Sequence, residues 1–368
     1  MEFFASPDQS DPKFESFLED ACRDLSNWFS TTNDRDPLPV LKQMPEVEPL
    51  QEGLSSKSLL KDLQVLMSSS YQPSHPGALA HLDPPPLTAS IVGDLISAGL
   101  NNNLLAEELS PSITKLERSL CKWFANRLGL PGTAGGVTAS GGSLTNLMAL
   151  LVARSHKQVL YKANIFVMAS AEAHVSISRA ISVMGLPPDS ILNIPTDDEG
   201  RVIVSSLKEQ FYSYKSKGKQ CFAVIATAGT TIRGAIDPLE ELSRFCKQEE
   251  LWLHVDAAIG GVFALSDSTS NLFENLSFAN SITINPQKVL GITKTSSLLL
   301  VADVANLFSC FSTGFPYIEP SLGNDYQGGE IGLQGSRPAE IIKLWLGLRQ
   351  LGETGITSLL DECIQRRD

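Results

Sequence analysis

Short apolar segments alternate with helical segments through the middle of the chain, and this alternation restricts the fold more than any other feature. The apolar runs, rich in branched residues, are Ile165–Ala169, Ile191–Ile194, Cys221–Ala226, Leu251–Val255, Ser281–Ile284 and Ser297–Ala302. Helical patterns lie between them, near 143–157, 174–185, 203–217 and 238–250. Strands that are apolar throughout need helices on both faces of their sheet. The pattern therefore predicts an α/β domain with a mostly parallel sheet.

Helical segments flank this region on both sides. Asp11 and Pro12 stand in the order of an N-cap and a first helical residue, and apolar residues follow at helical spacing to Phe29. The proline-rich stretch 31–49 indicates a linker, and residues 337–351 have the pattern of an amphipathic helix. We therefore expect three parts. They are a helical segment with a linker over 1–72, a large α/β domain over 73–353 and the start of a truncated C-terminal domain over 354–368.

Composition excludes several classes of protein. The 368 residues include 29 Lys and Arg against 41 Asp and Glu, a formal charge of −12, which disfavours nucleic acids and anionic membranes as partners. The 6 cysteines form no Cys-x-x-Cys pair, as expected of reduced thiols in the cytoplasm. The chain has neither a basic and apolar leader nor an apolar run of ~18 residues. We therefore expect a cytoplasmic protein without membrane or nucleic-acid partners.

Ligands of such sheets bind beyond the carboxyl ends of the strands, so functional residues are expected there. The stretch 138–146 reads Thr-Ala-Ser-Gly-Gly-Ser-Leu-Thr-Asn and runs into a predicted helix. Gly141 and Gly142 allow a close approach of the backbone, and Ser143 adds a hydroxyl where helix N–H groups point outward, which suits a phosphate. An ordinary glycine turn with a Ser cap is an equally open interpretation. The stretch matches neither the Walker loop nor the dinucleotide-binding pattern.

A carboxylate and an imidazole stand near the end of another predicted strand. Asp256 follows the run Leu251–Val255 and precedes small residues that leave room for a flat ligand. His254, two residues earlier, lies on the same strand face, and a buried, hydrogen-bonded histidine is the preferred interpretation. A metal site would need further ligands. Since the sequence has neither a His-Glu-x-x-His pattern nor a cysteine cluster, we expect no metal.

Two further strand ends carry a lysine and a histidine. Lys288 follows the run Ser281–Ile284 in an apolar setting, where a desolvated amine is suited to Schiff-base chemistry. Lys294 is its rival in a more polar setting, and a solvated surface lysine is the alternative. His174 follows the run Ile165–Ala169 and opens a predicted helix. There it either stacks on a flat ligand, acts as an acid or base, or caps the helix.

Together these residues meet the requirements of pyridoxal phosphate. That cofactor needs a lysine for its aldehyde, an acid beside its pyridine nitrogen and a site for its phosphate. Lys288, Asp256 and the turn 141–143 supply those groups on one predicted sheet. Each feature alone is weak, and their combination in this order indicates the cofactor.

The same residues make the chain resemble the group II pyridoxal-phosphate-dependent amino acid decarboxylases, which include glutamate, 2,4-diaminobutyrate, aromatic amino acid and histidine decarboxylases. The resemblance extends from about residue 75 to residue 351 and is carried by residues 75–77, 140–146, 173–174, 226–231, 254–258 and 285–288. Residues 234–239, Gly-Ala-Ile-Asp-Pro-Leu, are most similar to the glutamate decarboxylases. The resemblance implies a fold type I, aspartate-aminotransferase-like large domain. It also implies a homodimer that removes the α-carboxyl group of an amino acid as carbon dioxide.

The resemblance further implies a role for each residue of the site. Lys288 would bind the cofactor as a Schiff base, Asp256 would keep its pyridine nitrogen protonated and His174 would stack on its ring. Tyr317 would lie on a mobile loop rich in glycine and proline and donate a proton to the substrate carbon, and a surface aromatic is the alternative. These four are the implied catalytic residues. The implied cofactor-binding residues are Gly141, Gly142, Ser143, His174, Thr231, Asp256, Ala258, Asn285 and Lys288.

Two departures from the family leave other functions open. Gln287 stands where the family usually has a histidine, and an amide can donate hydrogen bonds but cannot carry charge. The family's small C-terminal domain is also expected to be largely absent. An impaired or regulatory relative is therefore an alternative, as is oxidative deamination, which Tyr317 disfavours. The stretch 80–86 lacks the aromatic pair of an aromatic-amine pocket. This favours a polar or charged substrate, such as glutamate, aspartate or 2,4-diaminobutyrate, over an aromatic one.

Overall fold

The computed structural model describes residues 4–40, 44–78, 81–159, 164–314 and 326–367. The contacts divide the chain into two units, residues 1–85 and residues 86–368. The second unit contains the sheet that the sequence predicts. In the described part of the chain, no helix is long and apolar enough to cross a membrane.

The first unit is built on two helices, α1 (Pro12–Ser30) and α2 (Ser56–Ser68). Asp11 caps α1 by accepting the backbone N–H of Phe14 at 3.1 Å, which confirms the predicted start of this helix. The indole Nε1 of Trp28 donates to the carbonyl oxygen of Met67 at 2.7 Å. The carboxyl ends of the two helices are thereby joined. A 3₁₀ turn over Thr32–Asp34 follows α1 at the start of the predicted linker.

The described residues of the second unit are organised on a seven-stranded sheet with the order β1-β7-β6-β5-β4-β2-β3. Its strands are β1 (Gly135–Ala139), β2 (Ile165–Ser170), β3 (Ile191–Ile194), β4 (Gln220–Thr227), β5 (Trp252–Asp256), β6 (Ser281–Ile284) and β7 (Ser297–Val301). The pairs from β3 through β2, β4 and β5 to β6 are parallel, whereas β7 runs antiparallel to β6 and β1. The predicted mostly parallel sheet is confirmed. The strands β2 to β7 match the apolar runs to within one residue at each end.

Helices connect and flank the strands of this unit. They are α3 (Thr88–Leu100), α4 (Pro111–Arg127), α5 (Gly142–His156), α6 (Ser176–Val183), α7 (Val204–Ser216), α8 (Leu239–Gln248), α9 (Pro286–Val289), α10 (Ala305–Phe311) and α11 (Ile341–Arg367). The helical patterns between the apolar runs correspond to α5, α6, α7 and α8. Helix α11 is interrupted at Gly352, whose φ of 63° lies in the left-handed region.

Both faces of the sheet are buried in apolar packing. Along β2, Phe166 and Met168 belong to the hydrophobic cluster on one face, while Val167 belongs to the cluster on the other. Side chains alternate between the two faces of a strand, so a strand with apolar residues at every position needs cover on both sides. This packing explains why the sequence shows continuous apolar runs instead of alternation. It also places the carboxyl ends of β1, β2, β4, β5 and β6 at one edge of the sheet.

Candidate active site

A cavity of about 280 Å³ lies at the carboxyl edge of the sheet. It brings together the residues that the sequence singles out at separate strand ends. They are Gly141, Gly142, Ser143, His174, Thr231, Asp256, Ala258, Asn285 and Lys288. Tyr317 lies outside the described residues. Lys294, the rival lysine, is exposed and does not line the cavity.

The turn from β1 into α5 forms one wall of the cavity. Gly141 has a φ of 103°, a conformation that residues with a Cβ atom rarely adopt, and no side chain of the described residues caps the helix that follows. A Cβ atom at Gly142 would lie 2.6 Å from Asn285 Nδ2. The turn is therefore shaped by two glycines, and the first N–H groups of a 15-residue helix remain available to an anion.

Asp256 is the last residue of β5 and is 5% exposed. Its Oδ1 accepts the backbone N–H of Ala258 at 3.1 Å, and its Oδ2 accepts Nδ2 of Asn146 at 2.7 Å. A buried carboxylate thus faces the cavity with two of its acceptor positions occupied by protein donors.

His254 is fully buried beneath this carboxylate, on the same strand. Its Nε2 lies 3.0 Å from Asn146 Oδ1, and its Nδ1 lies 2.9 Å from Ser281 Oγ. Burial lowers the pKa of His254 to about 4, although the nearby charge of Asp256 acts in the opposite direction. The prediction of a buried, hydrogen-bonded histidine is confirmed. Within the described ranges, no group of three or more metal-ligating side chains occurs.

Lys288 lies on the short helix α9, which begins directly after β6. Asn285 caps this helix, since its carbonyl oxygen accepts the backbone N–H of Lys288 at 3.0 Å. The preceding residue, Gln287, also lines the cavity, and its Oε1 accepts the backbone N–H of Ser296. The lysine and the amide are therefore held on the same cavity wall by a proline-started turn.

His174 lies in the loop between β2 and α6, two residues before the helix begins. Its Nδ1 accepts the backbone N–H of Ser176 at 3.2 Å and lies 2.8 Å from the Oγ of the same residue. Glu172, in the same loop, lines the cavity and forms an ion pair with Arg233, whose Nε lies 3.1 Å from Glu172 Oε1. The loop therefore presents an imidazole and a paired carboxylate to the cavity.

Two buried polar atoms at the cavity lack a hydrogen-bond partner within the part of the chain that the structure describes. They are Asn285 Oδ1 and Thr227 Oγ1, on residues that are 3% and 5% exposed. Buried polar atoms are normally paired, so such atoms beside a cavity indicate a polar ligand. Sequence reasoning assigned no role to Thr227, although the end of a strand is where ligands are expected. It also assigned none to Asn146, which lies one turn beyond Gly142 on the same helix face.

The family model for the pyridoxal-dependent decarboxylase conserved domain matches residues 39–367 of this chain. The chain belongs to this family. The resemblance inferred from the sequence is therefore confirmed, as is the α/β fold of the large domain.

Individual decarboxylases are similar to most of the chain. The aromatic-L-amino-acid decarboxylase of Bacillus atrophaeus is 34% identical over 293 residues, which are 79% of this chain and 61% of that protein. The acidic amino acid decarboxylase GADL1 of Mus musculus is 29% identical over 361 residues, 93% of this chain and 66% of that protein. The chain thus spans less than two thirds of the length of these relatives. The crystal structure of mouse CSAD, 26% identical, superposes with a TM-score of 0.87 over 97% of this chain and 78% of that one.

Pyridoxal phosphate, the cofactor of the family, fits the groups that line the cavity. The free N-terminus of α5 suits its phosphate, and the buried carboxylate of Asp256 suits its pyridine nitrogen. Lys288 offers an amine for its aldehyde. The unpartnered atoms of Asn285 and Thr227 can pair with the polar groups of the cofactor. The predicted cofactor is thus matched by the chemistry of the site.

Proposed function

We propose that this chain is an amino acid α-decarboxylase that converts an L-amino acid into its amine and carbon dioxide. The observation that carries the proposal is the single cavity lined by Lys288, Asp256, His174 and the N-terminus of α5. In this reaction the bond from the α-carbon to the carboxyl carbon breaks, and a proton takes the place of the carboxyl group. The chain must therefore stabilise an electron pair on that carbon and later supply the proton.

The residues of the cavity divide these tasks. Gly141, Gly142 and Ser143 bind the phosphate, and Thr231, Ala258 and Asn285 line the rest of the cofactor site. Lys288 would hold the cofactor through its amino group, and His174 would lie against the face of its ring. When bound, the cofactor supplies a protonated pyridine ring that accepts the electron pair released with carbon dioxide.

Asp256 would hold the proton on the ring nitrogen of the bound cofactor. Its carboxylate is buried, and Ala258 and Asn146 fix its orientation through the two donated hydrogen bonds. A charge held in place in a water-poor site stabilises a developing charge more strongly than the same group in water. We propose Tyr317, which lies outside the described residues, as the donor of the proton to the α-carbon.

Gln287 distinguishes this site from those with a histidine at the same position. Because its Oε1 accepts the Ser296 N–H, the amide N–H₂ group is what Gln287 offers to the cavity. It donates hydrogen bonds to an anionic group, either the phosphate or the substrate carboxylate. It cannot transfer a proton, so the site relies on other residues for proton transfer.

We further propose a substrate with a polar or charged side chain. The ion pair between Glu172 and Arg233 forms part of the cavity surroundings, and an apolar ring packed on it would desolvate charges without replacing their hydrogen bonds. The relative named as an acidic amino acid decarboxylase supports the same class. An aromatic substrate is the second candidate, and the 34% identity to an aromatic-L-amino-acid decarboxylase supports it.

The first experiment identifies the cofactor and its lysine together. The purified chain is incubated with pyridoxal phosphate, reduced with borohydride and mapped by peptide mass spectrometry. We expect a phosphopyridoxyl adduct on Lys288, its loss in Lys288→Ala and its retention in Lys294→Ala. An adduct on Lys294 would show that the site is misassigned. The absence of any adduct would overturn the decarboxylase proposal and favour an inactive or regulatory relative.

The second experiment identifies the reaction and the substrate. Release of carbon dioxide is measured with glutamate, aspartate, cysteine sulfinate, 2,4-diaminobutyrate and an aromatic amino acid, and the products are analysed by chromatography. Amine from a polar or charged substrate supports the proposal. Amine from the aromatic substrate alone would favour the second candidate, and an aldehyde would indicate oxidative deamination instead.

A homodimer in the cytoplasm is also proposed, on the basis of the family resemblance. Light scattering after size-exclusion chromatography measures the mass of the particle, which for a dimer is twice the chain mass of 39.8 kDa. A monomer that retains full activity would contradict the proposed assembly.

A further inference from the structure

The side-chain amide of Asn146 contacts three different partners, two through its N–H₂ group and one through its oxygen. Asn146 is 1% exposed and lies in α5. Its Nδ2 lies 2.7 Å from Asp256 Oδ2 and 2.9 Å from Ser176 Oγ, and its Oδ1 lies 3.0 Å from His254 Nε2. One buried amide therefore joins β5 to the first residue of α6, two residues after His174.

The direction of each hydrogen bond follows from the charge of Asp256. A carboxylate only accepts, so Asn146 must turn its N–H₂ group toward it and its oxygen toward His254. Nε2 of His254 then carries the proton. A neutral imidazole has one N–H, so its Nδ1 accepts from Ser281 Oγ at 2.9 Å. The Ser281 carbonyl oxygen lies farther from the same nitrogen, at 3.2 Å, and would accept from it only if Nδ1 carried a proton. The Ser281 hydroxyl oxygen in turn accepts Nε1 of Trp252 at 2.9 Å. Every donor from Trp252 to Asp256 has an acceptor.

A second branch of the network reaches His174. Ser176 Oγ accepts the other N–H of Asn146, so its own hydroxyl hydrogen is directed to His174 Nδ1 at 2.8 Å. The backbone N–H of Ser176 donates to the same nitrogen. His174 Nδ1 is therefore an acceptor, which leaves Nε2 as the ring nitrogen that carries the proton.

We propose that Asn146 is a positioning residue that, together with neutral His254, fixes the orientation of Asp256 and the tautomer of His174. This inference rests on the proposed function, because it concerns the carboxylate assigned to the cofactor's ring nitrogen and the imidazole assigned to its face. Removing one member of a buried polar network leaves its partners without hydrogen bonds, which costs more than the lost bond. The network therefore stabilises one set of hydrogen-bond directions over the alternatives.

The neutral state of His254 is supported by its surroundings. Burial lowers the pKa of His254 to about 4 and outweighs two opposing effects, the charge of Asp256 on its own strand and the Ser281 carbonyl oxygen near Nδ1. The neighbours that contact its ring from α5 and β6, Asn146 and Ser281, are uncharged. Near neutral pH the ring of His254 therefore carries a single proton, and the directions of its hydrogen bonds do not change.

The primary test reads the tautomer of His254 in the full-length wild-type chain, with and without pyridoxal phosphate. The chain contains 5 histidines, so selective ¹⁵N labelling gives a simple spectrum, and His254→Gln assigns the signal. We expect a neutral ring protonated on Nε2 that does not titrate between pH 8 and pH 5.5. A ring protonated on Nδ1, or one that titrates in this range, would overturn the proposal.

A second test uses Asn146→Asp, which keeps the shape of the side chain and replaces the N–H₂ group with a second acceptor beside Asp256. We expect an altered visible spectrum of bound pyridoxal phosphate, an affinity for it reduced roughly tenfold or more, and a kcat that falls more than KM rises. Wild-type values of all three in a folded variant would refute the proposal.

The matched control is Ser281→Ala, which removes the hydroxyl donated to His254 Nδ1 and leaves the cavity lining intact. It should shift the Nδ1 signal of His254 and leave the ring proton on Nε2, because the bonds of Asn146 to His254 and Asp256 remain. A proton that moves to Nδ1 in this variant would show that Ser281, and not Asn146, sets the tautomer. If Asn146→Asp does not fold, the wild-type tautomer and this variant still decide the question. The two proposals can fail separately. If His254 is protonated on Nε2 but no phosphopyridoxyl adduct forms on a lysine, the hydrogen-bond network stands and the decarboxylase assignment is overturned.

Discussion

Arg337 and Glu117 form a buried ion pair next to the strand that leads into the predicted phosphate-binding turn. Nη2 of Arg337 lies 3.1 Å from Glu117 Oε2, and Glu117 Oε1 accepts the backbone N–H of Thr138, in β1, at 3.1 Å. The two residues are 5% and 1% exposed. Burial disfavours the charge on Glu117, but the Arg337 guanidinium outweighs it and lowers the pKa of that carboxyl. The pair therefore anchors β1 two residues before Ser140.

Replacing Glu117 by Gln should lower the free energy of unfolding by about 3–5 kcal/mol, because the Arg337 guanidinium is then buried without a counter-charge. Urea denaturation measures the change. The control is Glu240→Gln, which breaks an exposed ion pair with Arg244 and should leave the unfolding midpoint unchanged. An equal loss of stability in Glu117→Gln and Glu240→Gln would show that burial does not decide how much an ion pair contributes to stability.

Asp237 should make stability decrease as the pH rises from acid toward neutral. It accepts the backbone N–H groups of Thr227 at 2.7 Å and Val202 at 2.8 Å, and burial raises its pKa from 3.8 to about 6. A carboxyl with a raised folded pKa contributes fully below its unfolded pKa and loses that contribution as the pH rises through the folded value. The stability advantage of the wild type over Asp237→Asn should therefore shrink between about pH 4 and pH 6, by about 3 kcal/mol at most.

Denaturant unfolding of both chains at pH 4, 5, 6 and 7 measures this difference. The comparison cancels the titration of the other carboxylates, which are the same in the two chains. An advantage that increases with pH in this window would mean that Asp237 is charged at pH 4 in the folded state.

The strands could be predicted from the sequence because burial on both faces leaves a continuous apolar run. Such a run is visible at Ile165–Ala169 and at Ser281–Ile284 without any knowledge of neighbours. The sequence does not predict strand β1 separately, because its first two residues are glycines and give no apolar run. Its pairing with β7 is a contact between distant segments. Helices α2, α3 and α4 were also not predicted, because helices stabilised mainly by packing on distant segments carry a weaker local signal.

The residues of the site that could be predicted from the sequence are those that directly follow a predicted strand. Asp256, Lys288 and His174 stand there in the sequence, and a parallel sheet necessarily brings such ends to one edge. Asn146 and Glu172 received no role because their partners, Asp256 and Arg233, lie far from them along the chain. Contacts of this kind arise from tertiary packing, which spacing within one segment does not encode.

Gly142→Ala should weaken the binding of pyridoxal phosphate roughly tenfold or more. The new methyl group would lie 2.6 Å from Asn285 Nδ2, so either Asn285 or the start of α5 must move. Titration of cofactor absorbance measures the affinity. The control is Gly132→Ala, where a Cβ atom meets nothing within 4 Å and the residue lies outside the cavity. Unchanged affinity in Gly142→Ala would contradict the proposed phosphate site.

Asp256→Asn should reduce kcat roughly 100- to 1000-fold with a much smaller change in KM. The amide cannot hold a positive charge on the ring nitrogen, whereas the groups that bind the phosphate are unaffected. Steady-state kinetics of carbon dioxide release measure both constants. The control is Asp267→Asn, which alters an exposed carboxylate outside the cavity and should leave both unchanged. A rise in KM alone would assign Asp256 to substrate binding.

Gln287→His should introduce a new ionisation into the pH dependence of kcat, near the ordinary histidine pKa of about 6.5. In the wild type the Oε1 of Gln287 accepts the Ser296 N–H, and an imidazole can accept the same N–H through one nitrogen. Its other nitrogen then faces the cavity beside Lys288 and gains or loses a proton there. Profiles of kcat from pH 5 to pH 8 for the wild type, Gln287→His and Gln287→Asn make the comparison. The amide control should follow the wild type in shape, since neither side chain titrates. Identical profiles for all three chains would show that position 287 does not contact the reacting groups.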